Sequence, residues 1–419
     1  MRLETILNRV EKFKSFVYGS GEFEESESGA VSLLVPLAPR SNSHPECSGC
    51  GRRGSTYDQL PQERRFEYVP LWGIVVYFVY RMRRVNCKAC GVTVERVPWC
   101  EGKNHQTTTY RWFLARWARR LSWSEVGRIF HTSWDSVCRA VEYAVTWGLA
   151  HRDLSGITAV GIDEVAWKKG HKYLTLVYDI SGSVKRLLAI SEERTEASLR
   201  SCLLSLGTSV CAGVRFVCSD MWRPYLNVIG QCLSQSVHVL DRFHVMQKFG
   251  KALDEIRADE HRQLKRDGYE PVLTKSRWCL LKRRENLTNK QTVKLSELLK
   301  YNLRSVRAYL FREDFQRFWD YLSASWAGKF LDEWTTRVMH SRLEPLKKVA
   351  LTLRKHRELI LNWFRAKGEI SAGAVEGLNN KVKLVTRKSY GFRTTEIAKL
   401  ALFHNLGRLP EPESTHRFC

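Results

Sequence analysis

The stretch Ile157-Thr-Ala-Val-Gly-Ile-Asp163 is a short apolar segment that ends in a carboxylate, and the fold assignment starts from it. The stretch Val214-Arg-Phe-Val-Cys-Ser-Asp220 repeats the pattern. Runs of this length predict buried strands, each of which terminates in an acid. A third acid, Glu376, lies in Ser371-Ala-Gly-Ala-Val-Glu-Gly-Leu-Asn-Asn-Lys381, which predicts the start of a helix. Three such carboxylates can converge on a pair of divalent metal ions, which indicates metal-dependent phosphoryl transfer.

Strands and short helices are predicted to alternate around the first two acids. The predicted strands are residues 157–163, 172–180, 184–190, the segment before Asp220, and 236–240; the predicted helices are 196–206 and 225–232. The order β-β-β-α-β-α-β-α predicts a mixed sheet flanked by helices, which is the order of an RNase H-like domain. The fold class is therefore α/β multidomain.

The composition indicates a polyanionic partner. The chain has 419 residues, a formal net charge of +24 and an ordinary hydrophobic fraction of 43%. Lys and Arg neutralise phosphates and release condensed counterions, so this charge favours nucleic acid over a merely solvated basic surface. The longest apolar run, residues 71–80, is about half the length that spans a bilayer. We expect a soluble, intracellular protein with no membrane partner, and the family resemblance described below implies a cytoplasmic, nucleoid-associated bacterial protein.

Two cysteine pairs predict a metal site. Cys47-Ser-Gly-Cys50 and Cys87-Lys-Ala-Cys90 can each direct two sulfurs at one ion, and four thiolates make a closed tetrahedral zinc site. Strands are predicted between the pairs at 66–70 and 72–80, so the segment is a zinc ribbon with structural Zn²⁺. Redox pairs or an iron–sulfur site are the alternatives.

Three helices are predicted after residue 107. Ser122 and Glu125 form a capping box, Ser133 can cap the next helix, and a tight turn at 131–133 separates the two. This order is typical of a helix-turn-helix, in which the second of the two short helices enters the major groove. An ordinary three-helix core would give the same pattern. The basic side chains Arg119, Arg120 and Arg139 favour the DNA-binding alternative.

A long helical segment is predicted over residues 245–367. Its tryptophans are expected mainly in helix-packing cores, while its basic clusters and some tryptophans could hold DNA ends through phosphate contacts and stacking. Five tryptophans mark the segment: Trp278, Trp319, Trp326, Trp334 and Trp363.

Spacing alone does not single out the three acids, and Glu164 and Asp241 are rival carboxylates. Mg²⁺ prefers oxygen ligands and needs only a few carboxylates. Asn380 and Lys383 follow Glu376 by four and seven positions, so they lie on roughly the same helix face. Lys383 can contact a phosphate, and Asn380 can orient a ligand or DNA.

Several linked motifs resemble a bacterial DDE insertion-sequence transposase of the ISL3 group, in the same order over nearly the whole chain. They are Gly161-Ile-Asp-Glu164, Cys218-Ser-Asp-Met-Trp-Arg-Pro-Tyr225, Asp241-Arg-Phe-His-Val245, the stretch around Glu376, and Arg387-Lys-Ser-Tyr-Gly-Phe-Arg393. The group also places a cysteine zinc ribbon and a helix-turn-helix ahead of its catalytic domain.

The resemblance implies the roles of individual residues. Asp163, Asp220 and Glu376 would be catalytic and would bind two Mg²⁺ ions, for which Mn²⁺ would substitute. Lys383 would be the basic residue seven positions after the Glu, and Arg387 joins the DNA-binding candidates. Asp241 and His244 belong to a family motif and are not expected to be metal ligands.

The resemblance also implies an activity. The protein would bind the terminal inverted repeats of its element, cleave the strands and join them to target DNA, as a homodimer or higher oligomer on double-stranded DNA. The alternatives are a non-catalytic zinc-ribbon regulator derived from a transposase, and a nuclease or resolvase that cuts without joining.

The predicted domains follow one another along the chain. They are an N-terminal helix (1–30), the zinc ribbon (31–100), the helix-turn-helix (105–150), the first part of the RNase H-like core (155–247), the helical insertion (248–368), the final core helices with Glu376 (369–408) and a disordered tail (409–419).

Overall fold

The computed structural model describes residues 2–168, 170, 172–270, 272–366 and 373–413. The chain divides into two compact units. The first is Met1–Asp153 with Val385–Cys419, and the second is Leu154–Leu384. Among the described residues, none of the helices combines the length and apolar character needed to cross a membrane.

The first unit begins with a helix and a series of strands that form two sheets. The elements are α1 (Leu3–Val10), β1 (Phe16–Tyr18), β2 (Glu22–Glu25), β3 (Val31–Pro39), β4 (Glu46–Cys47), β5 (Ser55–Gln59), β6 (Arg64–Leu71), β7 (Ile74–Tyr80), β8 (Arg83–Cys87) and β9 (Gly91–Arg96). One sheet has the order β1-β3-β7-β6 with β2 paired to β3, and the other has the order β4-β9-β8-β5.

The larger of these sheets packs on an aromatic core around the buried Trp99. The rings of Phe13, Phe16, Phe66 and Tyr80 have centroids 4.8–5.9 Å from the Trp99 ring. The structure of this sheet differs from the predicted domain boundaries in two places. The strands predicted at 66–70 and 72–80 pair in this sheet and not with the cysteine-bearing strands, because their alternating aromatics are buried here. The segment 1–30 is more than a helix, since β1 and β2 join the same sheet.

Three helices follow, α2 (Thr108–Arg120), α3 (Trp123–Ile129) and α4 (Trp134–His151). The predicted capping box of Ser122 and Glu125 is confirmed, and Ser133 caps α4 as predicted. A Cβ on Gly127 would lie 2.8 Å from the carbonyl oxygen of Thr132. Only a glycine lets the turn between α3 and α4 pass this close.

The second unit contains a five-stranded mixed sheet with the order β12-β11-β10-β13-β14. The first three strands are antiparallel, and β10, β13 and β14 are parallel. The elements are β10 (Ala159–Lys168), β11 (Lys172–Asp179), β12 (Arg186–Glu192), α5 (Glu196–Leu206), α6 (Thr208–Gly213), β13 (Phe216–Ser219), α7 (Arg223–Cys232) and β14 (Val237–Leu240). The predicted mixed α/β class and the element order are confirmed, with the short α6 as an addition.

The strand that carries Asp163 differs from the prediction. Asp220 follows the end of β13 as expected, but β10 runs on past Asp163 to Lys168. The extension exists because β11 pairs with β10 on both sides of Asp163, which itself lies opposite Leu176. Lys169 and His171 lie outside the described residues.

A long helical segment follows β14. It comprises α8 (Arg242–Arg266), α9 (Arg277–Leu281), α10 (Asn289–Leu298), α11 (Arg304–Gln316), α12 (Ala324–Met339), α13 (Glu344–Lys355) and α14 (Arg357–Arg365), with 3-10 turns at Arg284–Asn286 and Arg317–Asp320. Its core includes Trp319 and Trp334, and Trp363 packs against it. The predicted core role holds for these three, whereas Trp278 and Trp326 are exposed.

The chain ends with α15 (Ala374–Lys388) and α16 (Thr395–Leu406). The predicted disordered tail is wrong for residues 409–413. Leu409 is buried and lies close to Gly148, and the Glu411 carboxylate is 2.8 Å from Arg116 Nε and 2.6 Å from Arg119 Nη1. The remaining tail, 414–419, lies outside the described residues, as do residues 367–372.

Candidate active site

Asp163 and Asp220 project at the same level from neighbouring parallel strands. Gly161 on β10 pairs with Cys218 on β13, and each acid follows two residues later. Paired residues of parallel strands point to the same face of a sheet, so the two carboxylates share one face. The sheet register therefore brings the first two predicted acids together.

The Asp163 carboxylate is held by three groups. Its Oδ1 accepts a hydrogen bond of 2.8 Å from the backbone N–H of Glu164. Its Oδ2 accepts a hydrogen bond from Asn379 Nδ2 and lies 3.6 Å from His244 Nε2. The side chain is buried, so its orientation is fixed by these partners and not by solvent.

Asp220 sits beside an arginine and a second acid. Its Oδ1 accepts from the Trp222 backbone N–H at 2.8 Å, and its Oδ2 lies 3.6 Å from an Arg194 Nη2 that also contacts Glu164 at 3.0 Å. Arg194 stacks over the Trp222 ring, 4.2 Å from its centroid. Burial, followed by the charges of Asp220 and Asp163, raises the pKa of Glu164 to about 7. Burial also raises the pKa of Asp220 above its usual range.

The Asp241 motif forms the next wall of the site. Asp241 caps α8 by accepting from the Phe243 N–H at 2.8 Å, and burial raises its pKa, with further contributions from Asp163 and Glu376. Burial acts to lower the pKa of His244. The hydrogen bond to Asp163 and the charges of Asp163, Asp241 and Asp220 outweigh burial and raise this pKa to about 9. A protonated His244 thus offsets part of the local negative charge.

Glu376 lies in the first turn of α15, and the contact of this helix with the sheet is close. A Cβ on Gly161 would lie only 2.5 Å from Val375 Cγ2, so a glycine at this position lets α15 approach β10. One turn further on, Asn379 accepts a hydrogen bond of 2.8 Å from the Tyr178 hydroxyl while it donates to Asp163. This pair of bonds fixes the rotation of α15 relative to the sheet.

The three predicted acids do not form a cluster as tight as that of the cysteines. Of the described residues, only Cys47, Cys50, Cys87 and Cys90 place three or more metal-ligand atoms within 4.8 Å of one another. The carboxylates of Asp163, Asp220 and Glu376 are more widely spaced. Two divalent ions about 4 Å apart span such a group without requiring every oxygen to meet at one point.

The cysteine cluster has the arrangement of a metal site. Cys47 and Cys87 are buried, Cys50 and Cys90 are exposed, and the sulfurs of Cys50 and Cys87 are 3.5 Å apart. A hydrogen bond with the Thr93 hydroxyl lowers the pKa of Cys47 to about 6. Hydrogen bonds from the neighbouring sulfurs, chiefly Cys50, raise the pKa of Cys90 to about 12. A divalent cation would reverse that rise, because it stabilises all four thiolates.

The basic candidates divide into two groups. Arg120, Arg139, Lys383 and Arg387 are exposed. Arg119 is instead bound within the first unit, where its Nε donates to the His404 carbonyl oxygen at 3.2 Å and its Nη1 pairs with Glu411. Arg119 stays a predicted DNA ligand, but its guanidinium already has two partners within the first unit.

Comparison with known proteins places the chain in a family. The sequence profile of an ISL3-type DDE family described as transposases matches residues 160–402, more than half of the chain. The transposase of insertion sequence IS1001 from Bordetella parapertussis is 28% identical over 382 residues, covering 90% of this chain and 93% of the relative. The transposase of IS1557 from two Mycobacterium tuberculosis strains is 27% identical over 433 positions, covering 94% of each chain.

These matches define the class: the protein is a DDE transposase, an enzyme of insertion-sequence transposition. It belongs to the ISL3 group of that class. Membership of this family implies that the enzyme uses divalent metal and acts on DNA. It confirms the resemblance that the sequence motifs indicated.

Sequence reasoning missed one residue of the site. Asn380 was predicted to orient a ligand, but Asn380 is exposed and Asn379 makes the contact with Asp163. Both positions lie near the Glu376 face of a helix, at i+3 and i+4. The spacing could have suggested Asn379, but only the packing of α15 on β10 decides between them.

Proposed function

We propose that Asp163, Asp220 and Glu376 are the catalytic acids of an RNase H-like domain, formed by the five-stranded sheet with α15. The observation that carries the proposal is the arrangement of Asp163 and Asp220, level on adjacent parallel strands, with α15 bonded to Asp163 through Asn379. The long helical segment from α8 to α14 is then the insertion between the second and third acids.

The donor set suits Mg²⁺, or Mn²⁺ in its place. Carboxylate oxygens are the ligands that Mg²⁺ prefers, and the mutual repulsion of these acids would be relieved by a cation. Burial raises the pKa values of Glu164, Asp220 and Asp241, and the charges of neighbouring acids add to the rise. Two bound ions would activate the attacking oxygen and stabilise the leaving oxygen at the scissile phosphate.

The surrounding side chains have positioning roles. Asn379 and the Glu164 N–H fix the Asp163 oxygens, and Tyr178 fixes Asn379. Arg194 bridges Asp220 and Glu164 and is itself held over the Trp222 ring. His244 would bring positive charge beside Asp163, where it would favour binding of an anionic phosphate.

The first unit would recognise DNA. We assign structural Zn²⁺ to the four cysteines of a zinc ribbon, and end recognition to the helix-turn-helix of α3 and α4, with α4 in the major groove. The exposed Arg120, Arg139 and Arg387 of this unit, together with Lys383 of the second unit, would contact phosphates. The substrates would be the terminal inverted repeats of the element and target DNA, and the joining of two ends would need at least a dimer.

A strand-transfer assay separates this function from its rivals. With pre-cut element ends, Mg²⁺ and a plasmid target, we expect joined products that depend on the metal. Cleavage of intact ends without joining would indicate a nuclease or resolvase. Binding of ends with neither cleavage nor joining would indicate a DNA-binding regulator and would overturn the proposal.

The role of Asn379 can be tested against its neighbour. Asn379→Ala removes the side-chain donor to Asp163 and should reduce cleavage by about ten- to a hundredfold, the range for groups that orient metal ligands. The apparent Mg²⁺ requirement should also rise, which a loss of stability alone would not produce. Asn380→Ala is the matched control and should retain activity. Equal effects of the two substitutions on the Mg²⁺ titration would contradict the assignment.

A further inference from the structure

A cleft in the first unit lies beside the helix-turn-helix and is not used by the chemistry above. It has a volume of about 550 Å³ and is walled by aromatic side chains at the starts of α3 and α4 and in the turn between α15 and α16. The lining residues include Trp123, Trp134, Asp135, Tyr390, Phe392 and Arg393. A volume of this size is in the range of small-molecule sites.

The turn that forms one wall is fixed from both ends. The Tyr390 N–H donates to Arg387 O and the Gly391 N–H donates to Thr386 O, each at 3.0 Å. Lys388 Nζ donates to the carbonyl oxygens of Ala118 and Arg119 at the end of α2. On the far side, Thr394 caps α16. The motif Ser389-Tyr-Gly-Phe-Arg393 is therefore a rigid part of the first unit.

Tyr390 has a backbone conformation that is unfavourable for a tyrosine, and its side chain is not buried. Its φ is +52°, in the left-handed region that favours glycine, and its side chain is 93% exposed. A tyrosine in this conformation with so little packing does not stabilise the fold. Its ring is presented to whatever enters the cleft.

The other walls offer stacking and hydrogen bonding. The Trp123 and Trp134 rings lie with centroids 5.6 Å apart, and the Arg393 guanidinium is 5.9 Å from the Trp134 centroid. Asp135, at the first turn of α4, supplies a carboxylate. That carboxylate repels a phosphate group, but it can accept a hydrogen bond from an exocyclic amino group.

We propose that this cleft binds a single unpaired nucleobase of the DNA that the protein handles, by stacking on Tyr390 and by hydrogen bonding of an amino-bearing base to Asp135. Arg393 and the exposed Arg387 would hold the adjoining phosphates outside the cleft. The inference rests on the proposed DNA-binding function of the first unit. The inference goes beyond that function because it requires the bound duplex to be distorted, since a paired base cannot reach such a cleft.

The test compares two DNA probes in the absence of divalent metal. One is a fully paired duplex, and the other is the same duplex with one bulged adenine; binding is followed by fluorescence anisotropy with the full-length protein. We expect the wild type to prefer the bulged duplex and Tyr390→Ala to reduce that preference by about five- to a hundredfold, which corresponds to the loss of one stacked base. Affinity for the paired duplex should stay unchanged.

Three further variants sharpen the result. Tyr390→Phe keeps the ring and should keep the preference. Tyr269→Ala, at another exposed tyrosine in the second unit, should leave the preference unaltered. Asp135→Ala should reduce discrimination between a bulged adenine and a bulged thymine, because thymine presents an acceptor where adenine presents its amino group.

Several outcomes would overturn the inference. If the wild type binds both duplexes equally, or if Tyr390→Ala keeps the preference, the cleft does not bind an unpaired base. Either result would leave the proposed function intact. Failure of the wild type to bind either duplex would overturn both proposals. A change in self-association of Tyr390→Ala, with the preference unchanged, would assign the cleft to a second copy of the chain.

Discussion

Replacement of Asp163 or Asp220 with Asn, or of Glu376 with Gln, should each reduce Mg²⁺-dependent strand cleavage by at least about a hundredfold. The substitutions keep side-chain shape but remove a charged ligand, and metal stabilisation of the transition state amounts to several kcal/mol, with about 1.4 kcal/mol per factor of ten. Gel assays on labelled element ends would measure the loss. Binding of the same ends without metal should be unchanged.

The stability of these variants distinguishes a chemical role from a folding role. Burial raises the pKa of Asp220 in the folded protein, so ionisation of this carboxyl group costs more there than in the unfolded chain. The free energy of unfolding therefore falls as the pH rises from the unfolded-state pKa of this group to its folded-state pKa. Asp220→Asn removes the cost of burying the ionised carboxylate. The melting temperature of the metal-free variant should therefore equal or exceed that of the wild type.

The control for the acids is Asp267→Asn, at an exposed aspartate that follows the last residue of α8. It should cleave as the wild type does. Full Mg²⁺-dependent cleavage by any one of the three acid variants would show that the site is assigned to the wrong residues, with Glu164 and Asp241 as the next candidates.

Cys87→Ser should release the metal and unfold the sheet of β4, β9, β8 and β5. The buried core of that sheet is small and consists of Cys47, Val85 and Cys87, so two of its three members are metal-ligand candidates. Structural zinc binding supplies about 10–16 kcal/mol at neutral pH, far more than one valine can replace. We expect about one equivalent of zinc in the wild type, none in the variant, and weaker binding of element ends.

Metal analysis with a matched cysteine variant checks this prediction. Cys211→Ser lies outside the cluster and should retain both zinc and end binding. Iron in place of zinc would point to the iron–sulfur alternative, and a metal-free wild type with reversible thiol oxidation would point to redox pairs. A Cys87→Ser protein with its full zinc content would contradict the assignment.

Local signals in the sequence predicted the local structure well. The helix at 196–206 has the predicted bounds, and the Ser122–Glu125 capping box forms as the spacing requires. These features depend on contacts three or four residues apart, which the sequence displays directly. The same holds for the two cysteine knuckles, whose members are separated by two residues.

Features set by distant partners could not be predicted in this way. The end of β10 depends on pairing with β11, so Asp163 lies within the strand and not at its end. The choice of Asn379 over Asn380 depends on how Val375 packs over Gly161. The strand at 72–80 pairs with β3, and the strand at 66–70 pairs with the strand at 72–80. The sequence does not display this pairing, because the first cysteine pair lies between β3 and these two strands.

The bond between Asn379 and Asp163 joins residues that are 216 positions apart in the chain. At about 5–20 residues per second, the ribosome needs roughly ten to forty seconds to make the second partner after the first. Throughout that interval the nascent chain already carries the two cysteine pairs and the helices α2 to α4 but lacks α15. A polypeptide cut short anywhere in the helical segment would consequently carry the proposed DNA-binding modules without Glu376, and we expect it to compete with the full-length protein for the same DNA.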